Sequence, residues 1–472
     1  MQGRLGSGGA LFRDFTAVEV CIGSAPVFTR RDSATLVGRS HVPEKMKFYG
    51  WNLVAVLFCL DFINMGFPYY GGSVIINDFM IHDITMSGST RGLGFTLLNI
   101  SVGLAAVVVA ISIVKIGLRA TFALGSAIIC VGALYMALVA KTPVGYLIMF
   151  GVVMGTGISF ATLVPAFTAV ARWFRKYRGR ANGIAVSASG FAGLAAPLLG
   201  KVIRAHGNNW RMGWFIVAGA VVVAGLLALL FVKESPESMG QTVDGIPPQQ
   251  QSQPSRTDAL ATKYAWTTSQ AYATRAYWLI AFAGIVSTFP FFLFVAHWTR
   301  RLIGVGFKAS DAELALGFLT IGTLLGRWLG GILMDYMNAR VAFVLGLAVY
   351  FVGSYMAIAA MPGELWMAYL AALLNGAAYG WAFTCVGTMV AHYYGPAAFP
   401  KLYGMMTLLV SLIASPAGLV GGRIFDVYKS YTPAFELNAL LAAAGIVAIV
   451  FAAMPKPRGE VAAPVLQQEV AR

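Results

Sequence analysis

Gly331, Ile332, Leu333, Met334, Asp335, Tyr336, Met337, Asn338, Ala339, Arg340 form a short polar break between two apolar runs, approximately 312–334 and 340–361. Each run meets the roughly 20 apolar residues a helix needs to cross a hydrocarbon core. Gly331 lets neighbouring helices approach, while Asp335 and Arg340 put opposite charges at a helix end, where charge-assisted hydrogen bonds can latch one conformation. The break therefore reads as a tight loop between two membrane helices, with Gly331, Asp335 and Arg340 as a conformational latch. Outward from it the rhythm repeats, with apolar stretches at approximately 49–73, 92–114, 120–140, 144–170, 181–203, 212–232 and 277–299 before it and 365–391, 402–424 and 433–454 after it. The predicted fold class is an all-α membrane protein of twelve transmembrane helices in two pseudo-symmetric six-helix bundles.

Composition agrees. With 58% hydrophobic and 11% charged residues, against about 25% charged in a soluble domain, a water-soluble enzyme is excluded. The 53 glycines follow no three-residue period, which excludes a collagen-like chain and fits close helix contacts. Cys21, Cys59, Cys130 and Cys385 are too widely spaced for a disulfide framework, and His41, His82, His206, His297 and His392 make no metal-spaced pair. Neither a nucleophile motif nor a metal or cofactor is expected, so the chain is not read as an enzyme.

The net charge of +15 sits mainly between apolar blocks, where it orients a membrane protein against lipid rather than binding nucleic acid. With the N-terminus inside, 23 Lys and Arg fall on inside segments and 10 on outside ones. The protein is expected in a bacterial inner membrane with both termini cytoplasmic. Residues 1–45 are read as a disordered N-terminal tail or an upstream mis-assigned start, with a basic targeting segment as the alternative. Residues 46–232 are the N-terminal bundle and 233–275, with Pro236, Pro247, Pro248 and Pro254, a cytoplasmic linker. Residues 276–455 are the C-terminal bundle and 456–472 a cytoplasmic tail.

Residues 331–340 resemble the G-x-L-x-D-x-x-x-x-R loop signature of the major facilitator superfamily. The equivalent first-half loop keeps Gly117 and Arg119 but has Val114 where the acid would be. The run Trp173, Phe174, Arg175, Lys176, Tyr177, Arg178, Gly179, Arg180, Ala181, Asn182, Gly183, Ile184, Ala185 is similar to a pattern of that superfamily's monocarboxylate transporter and oxalate:formate antiporter branch. Phe48, Tyr49, Gly50 and Trp51 resemble the branch's aromatic entry motif. The resemblance covers residues 46–455 and implies a secondary transporter. Trp51 and Trp173 are expected as interface anchors.

Charges at membrane depth are costly and so mark function. Asp61 lies halfway along the first span and Arg327 in the eighth, about 12 Å from Asp335 at a 1.5 Å rise per residue. Thr320 and Thr323 share the helix face of Arg327, while Met65 and Tyr69 share that of Asp61. The residues around Arg327 resemble the branch's eighth-helix arginine motif, which implies a carboxylate-binding arginine. Its planar fork suits two carboxylate oxygens. Where proton-coupled relatives carry an acid one turn earlier, this chain has Thr323; Asp61 either is a fixed structural acid, salt-bridged or hydrogen-bonded in place, or replaces the missing acid and binds the proton from another helix. Asn99, Asn375 and Tyr379 complete the expected substrate site with Arg327, Asp61, Tyr69 and Thr323, and His297 is a weaker proton-relay candidate.

The expected function is alternating-access transport of a small organic anion, a monocarboxylate, with proton symport; the expected partners are that anion, protons and membrane lipid. An anion exchanger, an exporter of amphipathic drugs and a non-transporting membrane sensor are the alternatives.

Overall fold

The computed structural model of the chain describes residues 48–80, 83–192, 195–246, 262 and 264–456. The expected tail 1–45, the linker stretch 247–261 and residues 457–472 lie outside the described residues.

Among the described residues every long element is a helix. Helix α1 spans Gly50–Phe79. It passes Pro68 and continues to Phe79 by widening into π turns at Gly66–Gly71 and Ile75–Phe79. Proline lacks an N–H and crowds the preceding turn, and a π turn relieves both defects without ending the helix. Helices α2 (residues 88–116) and α3 (residues 118–138) share the run Gly88–Leu138, divided where Gly117 takes φ 82°, a left-handed conformation that glycine adopts without steric cost. Helix α4 is Pro143–Trp173. Helix α5 runs over Arg178–Phe191 and resumes at Ala195–Ala205, and α6 is Trp210–Phe231.

The second half follows the same plan. Helices α7, α8 and α9 are Arg275–Gly304, Ala309–Tyr336 and Ala339–Ala359. Helices α10 (residues 365–394) and α11 (residues 396–428) divide at Gly395, φ 75°, and α12 is Thr432–Phe451. Nine helices among the described residues are long and apolar enough to cross a membrane. Two of them are double, split at Gly117 and Gly395; with the interrupted α5 they give twelve passages, six per bundle. The bundles meet through α5 against α8, α2 against α11, and α4 against α10 and α11.

What fixes the depth of the future site is the contact of α8 with α10. A Cβ on Gly326 would lie 1.8 Å from the Ala377 carbonyl oxygen, and one on Gly380 would lie 2.1 Å from that of Thr323. The helices touch backbone to backbone, as small residues permit in a membrane, so neither can slide along the other. Gly326→Ala is expected to cost about 1–3 kcal/mol by overpacking and to lower the melting temperature in detergent. An unchanged melting temperature would mean that the contact is slack.

The first part of the linker packs against the N-terminal bundle. Asp244 accepts hydrogen bonds from the backbone N–H groups of Arg175, Lys176 and Tyr177 at 3.1, 2.8 and 3.4 Å, and Gln241 Oε1 accepts from Tyr49 N at 2.9 Å. This return of the chain corrects one expectation. Trp173 is fully buried and its indole donates to the Lys233 carbonyl at 3.2 Å, so it is no interface anchor, while Trp51 stays exposed.

Candidate functional site

Arg327 and Asp61 reach the same place from different bundles. The rigid α8–α10 contact carries Arg327, and α1 carries Asp61; both side chains are buried, at 5% and 3% exposure, yet both line one cavity of about 370 Å³. Arg327 Nη1 donates to the Val186 carbonyl and the Ser189 hydroxyl of α5. Its guanidinium carbon lies 5.1 Å from the centroid of the Phe383 ring, within cation–π range. Asp61 lies beside the Ser189 hydroxyl and within the field of Arg327. Arg327 Nε and Asp61 Oδ2 have no hydrogen-bond partner among the described residues. A buried donor and a buried acceptor left open in this way are what an incoming polar ligand can satisfy.

The remaining expected site residues divide. Tyr69 and Asn99 line the cavity together, with the tyrosine hydroxyl in hydrogen-bonding reach of the Asn99 amide, whose Nδ2 donates to its own helix at Phe95 O, 2.9 Å. Tyr379 also lines the cavity, reaches Arg327 and stacks on Phe291 at 3.8 Å and 12°. Thr323 lies in the wall, but its hydroxyl donates to Leu319 O at 3.0 Å.

Asn375 does not join them. It is fully buried, donates to Ala371 O at 2.8 Å and accepts from Ser354 Oγ at 3.3 Å. The 40° between positions 375 and 379 on α10 is enough to turn it onto α9, where Gly353 leaves room for its amide. His297 also stands apart, with Nε2 on Gly418 O at 2.7 Å.

Sequence reasoning missed Ser189, Tyr70, Phe291, Phe292, Phe383 and Tyr403, all of them in the cavity wall. Phe383 sits one turn beyond Tyr379 and could have been found that way. Phe291 and Phe292 fall in Phe289, Pro290, Phe291, Phe292, Leu293, Phe294, where no polar contrast marks a face.

The cavity is closed on the side of the 331–340 loop. Phe167 of α4 packs on Phe383 and Tyr403, with ring centroids 6.0 and 5.0 Å apart, and Asn182 Nδ2 donates to Thr388 Oγ1 at 3.1 Å between α5 and α10. Beyond these contacts Asp335 accepts from the backbone N–H groups of Gly179 and Arg180 at 2.7 and 3.0 Å, with Arg180 Nε 3.5 Å away. The acid thus caps the positive end of α5, in the other bundle. Gly331 lies against the Gly179 backbone.

Arg340, the expected partner, is not the one Asp335 uses; its backbone N–H donates to Asn338 Oδ1 at 3.0 Å. In the first half, Glu234 supplies the acid that Val114 lacks, accepting from Leu118 N and Arg119 N at 2.9 and 3.0 Å and pairing with Arg172 at 3.0 Å. That tie stays within one bundle.

The Major Facilitator Superfamily model matches residues 53–310 and 302–470. Among curated proteins, the chain is 21% identical over 275 residues to the probable transporter MCH2 of Saccharomyces cerevisiae, covering 57% of this chain and 53% of that one. It is 28% identical over 184 residues to monocarboxylate transporter 2 of Rattus norvegicus, covering 38% and 36%. The chain therefore spans about half, or less, of the length of these relatives. Among solved structures it resembles the E. coli fucose:proton symporter FucP, with a TM-score of 0.65 and 14% identity over 87% of this chain and 100% of that one.

Proposed function

This chain belongs to the Major Facilitator Superfamily and is an integral membrane protein, and we propose that it moves a small organic anion, a monocarboxylate, by alternating access with proton symport. One observation carries the reading. Arg327 is a buried cation at the floor of a cavity closed on the latch side, with Nε unsatisfied among the described residues. A guanidinium stays charged when desolvated and offers a planar pair of donors to a carboxylate.

The cycle follows from charge balance. With the cavity empty, the Asp61 carboxylate compensates Arg327. An arriving carboxylate takes over that role and leaves Asp61 buried as an uncompensated anion, which is costly unless it binds a proton. One proton then enters with each monocarboxylate, and the loaded site is as neutral overall as the empty one. Ser189 of α5, bonded to Arg327 of α8, lets ligand binding bear directly on the interface that must reopen on the other side. In this reading the membrane is a bacterial inner membrane and both chain ends and the linker face the cytoplasm, an orientation the Lys and Arg bias supports.

The test is uptake into proteoliposomes of radiolabelled monocarboxylates and of a neutral sugar, with and without a proton gradient. Equal uptake of the sugar would defeat the anion reading. Asp61→Asn is expected to abolish acceleration by an inward proton gradient while carboxylate exchange at equal pH persists. Gradient acceleration that survives the substitution would assign coupling to another group.

A further inference from the structure

The cavity is far larger and far less polar than a small acid requires. Its 370 Å³ is about twelve water volumes at roughly 30 Å³ each, and a two- or three-carbon carboxylate would leave most of it wet. The two charged groups, Arg327 and Asp61, meet at the floor beside Ser189. From there towards the mouth the wall is mostly apolar, with Tyr69, Asn99 and Thr320 set among hydrophobic side chains. Leu316 lies eleven residues before Arg327 on α8, about 16 Å along the axis, and Phe291, Phe292 and Val295 of α7 rise beside it. Tyr379 gives its hydroxyl to the floor and its ring to Phe291, and Phe383 places its ring face under the guanidinium. Such a site has one charged end and one aromatic barrel, and a ligand matching both buries apolar area against rings while its anion meets the cation.

We infer that the cargo is an arylalkyl monocarboxylate, bound with its carboxylate on Arg327 and its ring against the aromatic wall that Phe292 forms with the stacked Phe291–Tyr379 pair. This rests on the carboxylate role proposed for Arg327 and adds what occupies the rest of the cavity. A lactate-sized acid can meet the arginine but leaves the rings in contact with water, so it forgoes the apolar part of the binding.

The experiment compares phenylacetate, lactate and neutral phenylethanol in wild-type proteoliposomes, each corrected for protein-free liposomes. Phenylacetate is expected to show a KM at least about tenfold below that of lactate, the equivalent of one favourable ring contact and the burial that comes with it, and phenylethanol is expected not to compete. Phe292→Ala should raise the phenylacetate KM about tenfold and leave the lactate KM within about twofold. The wild-type comparison decides by itself if that variant does not fold. A lactate KM equal to or below that of phenylacetate overturns this inference and leaves the anion reading standing. Competition by phenylethanol as strong as that by phenylacetate, unaltered in Arg327→Gln, overturns the anion reading and this inference with it. So does the absence of uptake of both acids by correctly folded protein.

Discussion

Arg327→Gln is expected to lower monocarboxylate uptake, measured as Vmax/KM, by roughly 100-fold or more, since two hydrogen bonds to a charged group contribute about 1.5–3 kcal/mol each. Glutamine keeps a donor but loses both the charge and the planar fork. Lysine at this position should rescue poorly, because a point charge on a flexible stem cannot reproduce the pair of parallel donors. The substitution has a structural side as well. It strands Asp61, 3% exposed, without its cation, and a buried ion deprived of its partner costs about 3–5 kcal/mol. The double variant Asp61→Asn, Arg327→Gln should therefore regain thermal stability and remain inactive. Stability that recovers together with transport would reduce Arg327 to a tie between α8 and α5, the role its bonds to Val186 and Ser189 would fill alone.

Charge in an apolar run is the signal that makes such a site legible. Asp61 and Arg327 stand out in the sequence because few other ionisable groups occur at that depth, and both lie in the cavity wall. Helical phase carries less information. It groups Asn375 with Tyr379, yet a difference of one angular step puts the asparagine on Ser354 and the tyrosine on Phe291. Packing decides which neighbour each position meets, and the room left by Gly353 of α9 is not readable from α10. Long-range polar pairing is less legible still. Asp335 looks local, five residues from Arg340, whereas its partners lie 156 and 155 residues away. The acid that the first half lacks at Val114 arrives from Glu234, 116 residues beyond Leu118. Phenylalanines were hard to assign for a different reason: in a membrane helix the faces towards lipid, core and cavity are all apolar, so a phenylalanine says nothing about which it occupies.

We propose that the partner Asp335 selects makes the latch a gating element, in which case its removal should be conspicuous. The carboxylate spans from α8 to the first N–H groups of α5, joining the two bundles on the side where the cavity is sealed. Two charge-assisted bonds of about 1.5–3 kcal/mol each hold that side shut, and each 1.4 kcal/mol released shifts the balance between the two access states about tenfold. Asp335→Ala should therefore populate the state open on the latch side. Thr388→Cys reports this, because Thr388 is fully buried in the seal, where its hydroxyl accepts from Asn182. In a background lacking the native cysteines, its labelling by an impermeant maleimide is expected to rise at least about tenfold with Asp335→Ala. Thr320→Cys, on the exposed mouth side, should label more slowly. Glu234→Ala is the control, because its bonds to Leu118, Arg119 and Arg172 stay inside the N-terminal bundle. That substitution should lower stability without moving either labelling rate. Equal labelling in Asp335→Ala and the parent would show that the aromatic seal of Phe167, Phe383 and Tyr403 holds the closed side unaided.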